Sequence, residues 1–125
     1  MKNQIVVSYE GDYVQVLSDG KKDYQFANKL WTEVVKKCKE KNCYRVLGIA
    51  QTSRPVTSDE AYHHKDLFKD IGIDASYRIA WVELEKSAFN TAYFAVSVLF
   101  SNGFDVRLYK QVSDAVLWLT DDSIK

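Results

Sequence analysis

The chain has 125 residues, of which 46% are hydrophobic and 14% are aromatic. This length and composition predict one folded domain over residues 1–125, with a core large enough to need no metal ion, cofactor or disulfide. The 17 basic residues balance 17 acidic ones. That balance argues against nucleic acid as a partner, because such binding needs an excess of Lys and Arg facing phosphate.

The sequence also bears on the cellular compartment. The N-terminus has no long apolar segment of the kind found in signal peptides, and no apolar run is long enough to span a membrane. Cys38 and Cys43 are the only cysteines, and their spacing fits no zinc site. We therefore expect a cytoplasmic protein with free thiols, no transmembrane segment and no bound metal.

The N-terminal third is predicted to be a β-hairpin followed by an amphipathic helix. The strands of the hairpin are residues 5–9 and 13–17. A stripe of apolar residues at helical spacing over 24–41 indicates a helix with one buried face. Asp23 is the expected N-cap of this helix, and Asn42 is expected to end it.

The central part is predicted to contain a strand, a polar loop and a second helix. Residues 44–50 are apolar on both faces, which is typical of a central strand. The polar loop begins after this strand, and the second helix covers 57–72. Thr57 and Glu60 have the spacing of a capping box at the start of the helix.

The C-terminal part alternates strands and helices. It is predicted to contain a strand at 77–84, a helix at 88–101 capped by Ser87, a strand at 104–109 and a helix at 112–119. The complete order of elements is β-β-α-β-α-β-α-β-α. Alternation of this kind indicates an α/β fold with a mainly parallel sheet and right-handed crossovers.

The C-terminal half resembles the SpoIIAA-like group of STAS domains (sulfate transporter and anti-sigma-factor antagonist), a group related in fold to SEC14-type lipid-binding domains. The similar segments are YRIAWVEL at 77–84, FDVRLY at 104–109 and SDAVLWL at 113–119. The hairpin and the first helix also match the family layout. The resemblance implies a single SpoIIAA-like sandwich that binds a partner protein or a small apolar molecule, including a lipid, rather than catalysing a reaction.

The resemblance also raises the question of phosphorylation. STAS domains typically carry a phosphorylatable serine in a D-S-x-G-type turn at the start of the second helix. This chain has RPVTSDEAY at that place, so Thr57 and Ser58 match the serine by position while the turn motif differs. A regulator switched by phosphorylation at Thr57 or Ser58 is therefore one hypothesis for the function.

Segment 52–58 is the first candidate binding site. It follows a central strand at the end where open α/β sheets usually bind ligands, and it leads into a helix N-terminus, which favours anions. The candidate side chains are Thr52, Ser53, Arg54, Thr57 and Ser58. We expect them to bind a partner protein or a small apolar or anionic ligand. The alternative is an ordinary connection in which Thr57 caps the helix.

His63 and His64 are adjacent on the second predicted helix. His64 falls on the apolar face and is expected to be packed, whereas His63 lies about a quarter turn away and is expected to be solvated. Because the two rings diverge, a shared metal ion is not expected. A small enzyme that uses one of these histidines with a strand-end carboxylate, Glu83 or Glu85, is the alternative to a binding protein.

The third predicted helix has a wide apolar face that includes Tyr93 and Phe100. Phe94 and Val98 lie on the opposite side, where a surface helix is usually polar. Such a pair is typical of a partner contact or of a lid over a pocket, and incidental exposure is the alternative. Phe94 and Val98 are candidate binding residues, as is His64 of the second predicted helix. We expect the third helix to form the interface if the protein is a homodimer.

Overall fold

The described part of the chain folds into five strands and five helices. A computed structural model describes residues 4–21, 23–54 and 57–123, without the side chains of Lys21 and Arg54. The strands are Gln4–Tyr9 (β1), Val14–Lys21 (β2), Arg45–Arg54 (β3), Arg78–Glu83 (β4) and Asp105–Tyr109 (β5). The helices are Tyr24–Lys41 (α1), Ser58–Tyr62 (α2), His64–Ile71 (α3), Phe89–Ser101 (α4) and Val112–Leu119 (α5), and a 3-10 turn, Lys86–Ala88, precedes α4.

The five strands form one mixed sheet in the order β1-β2-β3-β4-β5. β1 pairs with β2 in antiparallel orientation, and the pairs β2–β3, β3–β4 and β4–β5 are parallel. The predicted α/β class is confirmed. The predicted order of elements is wrong at the second helix, which is divided into α2 and α3.

The helices lie on both faces of the sheet. Each connection from β2 to β5 moves the chain by one strand in the same direction, so right-handed crossovers place their helices on the same face. Helices α1, α3 and α4 accordingly share one core cluster with Val46 and Ile79 of the sheet. Helix α5 packs on the opposite side with Leu47 and Val82. We call these two sides the crossover face and the α5 face.

Several helix ends follow the local signals in the sequence. Oδ1 of Asp23 accepts a hydrogen bond from the main-chain N–H of Phe26 at 2.8 Å, which makes it the N-cap of α1. Asn42 ends α1 in the left-handed region with φ 52°. Gly72 ends α3 with φ 89°, a conformation that glycine adopts without steric cost. These predicted ends are confirmed.

The prediction of a single helix over 57–72 is wrong, because the chain bends at His63. The main-chain carbonyl of Glu60 accepts a hydrogen bond from Nδ1 of His64 at 2.9 Å. In a continuous helix this carbonyl would accept from the main-chain N–H of His64 instead. The imidazole therefore takes the place of a backbone donor, and α2 ends after one turn.

Two other predicted boundaries are also wrong. β3 continues to Arg54 instead of ending at residue 50, because β2 extends to Lys21 and pairs with these additional residues. The segment predicted as a loop is therefore partly strand. The third predicted helix begins as the 3-10 turn, and the side chain of Glu85, rather than Ser87, accepts the capping hydrogen bond.

Candidate functional site

A cavity of about 100 Å³ lies between the crossover face and helices α1, α3 and α4. We call it the central cavity. Most of its wall is apolar, and the polar side chains that line it are Thr52, His64, Glu83 and Thr91. Thr52 belongs to β3 and Glu83 ends β4. The cavity therefore reaches the carboxyl ends of two parallel strands, which is where open α/β sheets usually bind ligands.

Small side chains on one side of the central cavity provide its space. Ala88 in the 3-10 turn and Ala92 and Ala95 in α4 line this side, and their spacing places them on one helix face. An alanine extends one carbon from the backbone, so it leaves room that a leucine or phenylalanine would fill. An apolar face could be predicted here from the sequence, but the cavity that the small side chains create could not.

Two tryptophans form the aromatic part of the wall. The ring centroids of Trp31 in α1 and Trp81 in β4 lie 5.5 Å apart. The ring of Trp81 lies directly over Gly48 of β3, where an added Cβ would stand 2.1 Å from atom Cε3 of the ring. Such a distance is a steric clash, so the ring of Trp81 can occupy this place in the cavity wall only because residue 48 has no side chain.

Thr52 and Glu83 form a buried polar pair at the edge of the central cavity, with 3% and 6% of their surface exposed. The hydroxyl of Thr52 donates a hydrogen bond to Oε1 of Glu83 at 2.6 Å. The main-chain N–H groups of Thr52 and Glu85 donate to Oε2 at 3.2 Å and 3.1 Å. Three donors therefore hold the carboxyl group of Glu83 in one orientation.

His64 is buried, as its position on the apolar face predicted, with 9% of its surface exposed. Its Nδ1 donates to the main-chain carbonyl of Glu60, because a carbonyl can only accept. Burial lowers the pKa of the imidazole, and the hydrogen bond to Glu60 and the charge of Glu60 oppose this shift. The ring is therefore neutral near pH 7, and Nε2 is left as a hydrogen-bond acceptor.

Glu60 fixes the turn that orients His64. Its carboxyl oxygens accept hydrogen bonds from the main-chain N–H groups of Thr57, at 2.9 Å, and of Tyr24, at 3.0 Å. The hydroxyl of Thr57 accepts from the main-chain N–H of Glu60 at 3.1 Å, which confirms the predicted capping box. The hydrogen bond from the Thr57 backbone is the main cause that lowers the pKa of Glu60. These bonds join the start of α2 to the start of α1.

The structure separates the residues that the sequence analysis grouped in segment 52–58. Thr52 lines the central cavity. Ser53 is exposed, and the side chain of Arg54 lies outside the described residues. Thr57 and Ser58 are exposed at the start of α2, where the hydroxyl of Thr57 is used in the capping box. Among the described side chains of this segment, Thr52 alone contributes to the cavity.

The two histidines do not share a site. His63 is exposed, as predicted, whereas His64 lines the central cavity. Glu85 does not line the cavity and accepts a hydrogen bond from Gln51 at 3.0 Å. Within the described ranges, no hydrogen bond joins His64 to Glu83. In the same part of the chain, no three His, Cys, Asp or Glu side chains are grouped so that they could hold a metal ion.

The outer side of α4 exposes several aromatic residues. Phe94 is 42% exposed, whereas Val98 is partly buried. Tyr93 and Phe100 are each 62% exposed, so their assignment to the buried face was wrong. Helix α4 packs against β5 at the edge of the sheet and against α2. Its buried stripe is therefore narrower than that of a helix over the middle of a sheet.

No model of a known protein family matches the chain, and no curated protein matches it. No helix in the described part of the chain is both long and apolar enough to cross a membrane. The fold and the site therefore define an α/β protein with a mainly apolar cavity at the carboxyl ends of two parallel strands.

Proposed function

We propose that the chain is a non-catalytic STAS-like domain of the SpoIIAA-like type that binds a small, mainly apolar molecule in the central cavity. The observation that carries this proposal is the cavity itself. It is walled by Trp31, Trp81 and the alanines of α4, and it has a few polar groups at one edge. Apolar walls with few, fixed polar groups are the usual composition of small-molecule sites.

The polar groups of the cavity favour binding over catalysis. The carboxyl oxygens of Glu83 are held by three donors, and Nδ1 of His64 is held by a main-chain carbonyl. Groups held in this way can orient a ligand without moving a proton. The alternative enzyme would need His64 and Glu83 to meet across a substrate, since His63 and Glu85 do not line the cavity.

The cavity favours an apolar ligand over the anionic ligand that the sequence also allowed. The acidic side chain that lines it, Glu83, would repel an anion, and the described lining contains no Lys or Arg. A helix N-terminus at Ser58 attracts negative charge in principle. That helix end is exposed and lies outside the cavity lining, so an anion bound there would not occupy the same site.

The test is nuclear magnetic resonance titration of the protein with benzene and with 1-butanol, following the indole N–H signals. We expect the signals of Trp31 and Trp81 to shift and the signal of Trp118, on the α5 face, to stay in place. Ala95→Leu should fill the cavity and weaken binding by about tenfold or more. Asn90→Leu, at an exposed position of the same helix, is the matched control. Titrations that leave the signals of Trp31 and Trp81 unchanged would contradict the proposal.

Partner-protein binding, including homodimerisation, is a second candidate function. It is favoured by the exposed side chains Tyr93, Phe94 and Phe100 on the outer side of α4. Analytical ultracentrifugation of the wild type and of Phe94→Lys tests the homodimer. We expect the wild type to associate at high concentration and the variant to remain a monomer. Identical monomeric behaviour of both proteins over the whole concentration range would contradict the homodimer.

A phosphorylation switch at Thr57 or Ser58 remains a prediction. Ser58 is exposed at the first position of α2, where a phosphate would meet the positive end of the helix. Ser58→Asp should then change the affinity for the cavity ligand or for a partner, whereas Ser58→Ala should not. Equal affinities of the two variants for benzene and equal self-association would count against the switch.

A further inference from the structure

The acceptor capacity of Glu83 is not used up within the protein. An ionised carboxyl group offers about four acceptor positions on its two oxygens. Oε2 accepts two hydrogen bonds, from the main-chain N–H groups of Thr52 and Glu85, and Oε1 accepts one, from the hydroxyl of Thr52. One acceptor position on Oε1 is therefore left for a ligand. Glu83 is only 6% exposed, so water has little access to this position.

Glu83 also lacks a positive partner among the side chains that the structure describes. The ion pairs of these residues all involve other acids. A buried acidic group is costly unless a counter-charge or a sufficient set of donors stabilises it. The three donors satisfy part of this requirement. A cation in the central cavity would supply the rest.

The other polar and aromatic groups of the cavity are also of kinds that interact favourably with a cation. The neutral ring of His64 leaves Nε2 as an acceptor, because Nδ1–H is bound to the carbonyl of Glu60. The hydroxyl of Thr91 can donate or accept. The rings of Trp31 and Trp81 complete the wall, and aromatic faces attract cations and the alkyl groups attached to them.

We propose that the central cavity selects a small primary amine in its protonated form, whose N–H groups donate to Glu83 and to Nε2 of His64 while its apolar part contacts the tryptophans. This inference rests on the proposed function, because it specifies the chemical class of the ligand that the cavity binds. The cavity volume of about 100 Å³ restricts the apolar part to a few carbon atoms or one small ring.

The experiment compares n-butylamine, 1-butanol and butanoate, which share one alkyl chain and differ in the charge of the head group. Dissociation constants come from the shifts of the indole N–H signals of Trp31 and Trp81 near neutral pH. We expect n-butylamine to bind about tenfold or more tightly than 1-butanol, because its hydrogen bonds are charge-assisted. Butanoate should bind more weakly than 1-butanol, because its charge has the same sign as that of Glu83.

Two variants assign the preference to one side chain. Glu83→Gln keeps the shape of the side chain and removes its charge, so the tenfold preference for the amine should disappear while 1-butanol still binds. Glu85→Gln, two residues away and outside the cavity lining, should keep the preference. The circular dichroism spectrum of each variant shows whether it folds. If Glu83→Gln does not fold, the dissociation constants of the three ligands for the wild type show whether the cavity prefers the amine.

The outcomes separate this inference from the function on which it rests. Equal affinity of the wild type for n-butylamine and 1-butanol, or tighter binding of butanoate, would overturn the amine site and leave an apolar binding protein. A preference for the amine that survives in folded Glu83→Gln would also overturn it. If benzene and all three butyl compounds leave both tryptophan signals unchanged, the proposed function fails, and the amine site fails with it.

Discussion

The crossover face and the α5 face of the sheet are filled in different ways. On the α5 face, a short helix packs Ala115, Trp118 and Leu119 against the middle strands, and Ala115 and Leu119 are fully buried. On the crossover face, large rings lie next to small residues, as Trp81 does over Gly48. The residues under α5 are tightly enclosed, whereas the crossover face contains the central cavity. The cavity is bordered by the alanines near α4 and by the rings of Trp31 and Trp81, so its space depends on how small and large side chains are distributed.

The polar residues follow the same division. Thr52, His64 and Glu83 are buried on the side of the cavity. On the α5 face, the guanidinium groups of Arg78 and Arg107 lie over the ring of Trp118, at 5.5 Å and 4.9 Å from its centroid. Those two cations stabilise the packing of α5 from its rim. The buried polar groups of the crossover face instead line the central cavity.

The largest effect is expected for Gly48→Ala, which tests whether the packing of the crossover face requires a glycine under the ring of Trp81. The added methyl would overlap the ring of Trp81, so the ring or the strand must move. We expect a loss of about 3 kcal/mol in the free energy of unfolding, measured by urea denaturation. In a Trp81→Leu background the same substitution should cost much less. If Gly48→Ala lowers the free energy of unfolding equally in the wild type and in Trp81→Leu, overlap with the Trp81 ring is not the cause of the loss.

The second prediction compares one enlargement on each face. Ala115→Leu adds volume to the α5 face at a fully buried position and should cost about 2 kcal/mol, because the surrounding side chains leave no room. Ala95→Leu adds the same volume beside the central cavity and should change stability by less than about 1 kcal/mol. Urea denaturation of both variants measures the difference. Equal costs would mean that the two faces are packed equally well.

The helix ends could be predicted from the sequence because their chemistry is local. Asp23, Asn42 and the capping box of Thr57 with Glu60 each act within a few residues of the chain. The end of β3 could not be predicted in this way, because it depends on the length of β2, which supplies the hydrogen-bond partners of β3. The bend at His63 depends on the hydrogen bond from the His64 side chain to the main-chain carbonyl of Glu60, which replaces a helical hydrogen bond. The spacing of apolar residues does not predict such a bond.

The candidate site could be predicted only in fragments. His64 and Glu83 were recognisable as polar residues on an apolar helix face and at the end of an apolar strand, whereas Thr52 was singled out only as part of a polar loop. The pairing of Thr52 with Glu83 spans 31 positions of the sequence, and the cavity requires the relative positions of three strands and three helices. The one available signal was the repetition of alanine at one face of the third predicted helix, whose meaning depends on what lies opposite.

A smaller effect is expected at the helix starts, which also differ between the two faces. α2 begins with a capping box, whereas the side chain of Gln111 makes no capping hydrogen bond at the start of α5. Thr57→Ala should therefore cost about 1 kcal/mol, and Gln111→Ala should cost almost nothing. Ser58→Ala, next to the cap, is the control and should resemble Gln111→Ala. If Thr57→Ala and Gln111→Ala change the free energy of unfolding equally little, the capping box does not stabilise the start of α2.

The smallest effect concerns the pH dependence of stability on the crossover face. Burial lowers the pKa of His64 in the native protein, whereas the unfolded chain keeps the ordinary value of about 6.5. As the pH falls through this value, the unfolded state binds a proton that native His64 does not, so the free energy of unfolding decreases. The urea midpoint should therefore fall between about pH 7.5 and about pH 5.5, and His64→Asn should reduce that fall.

The asparagine is chosen because its side-chain amide can still donate to the carbonyl of Glu60, so the variant removes the titration and keeps the hydrogen bond. His63→Asn is the matched control, since it makes the same substitution at the neighbouring, exposed histidine. Were His63→Asn to flatten the pH profile while His64→Asn left it unchanged, the buried ring would not be the titrating group. A flattened profile for His64→Asn alone would instead assign the acid sensitivity to the cavity side of the sheet, where the neutral imidazole provides one of the two acceptors for the proposed amine.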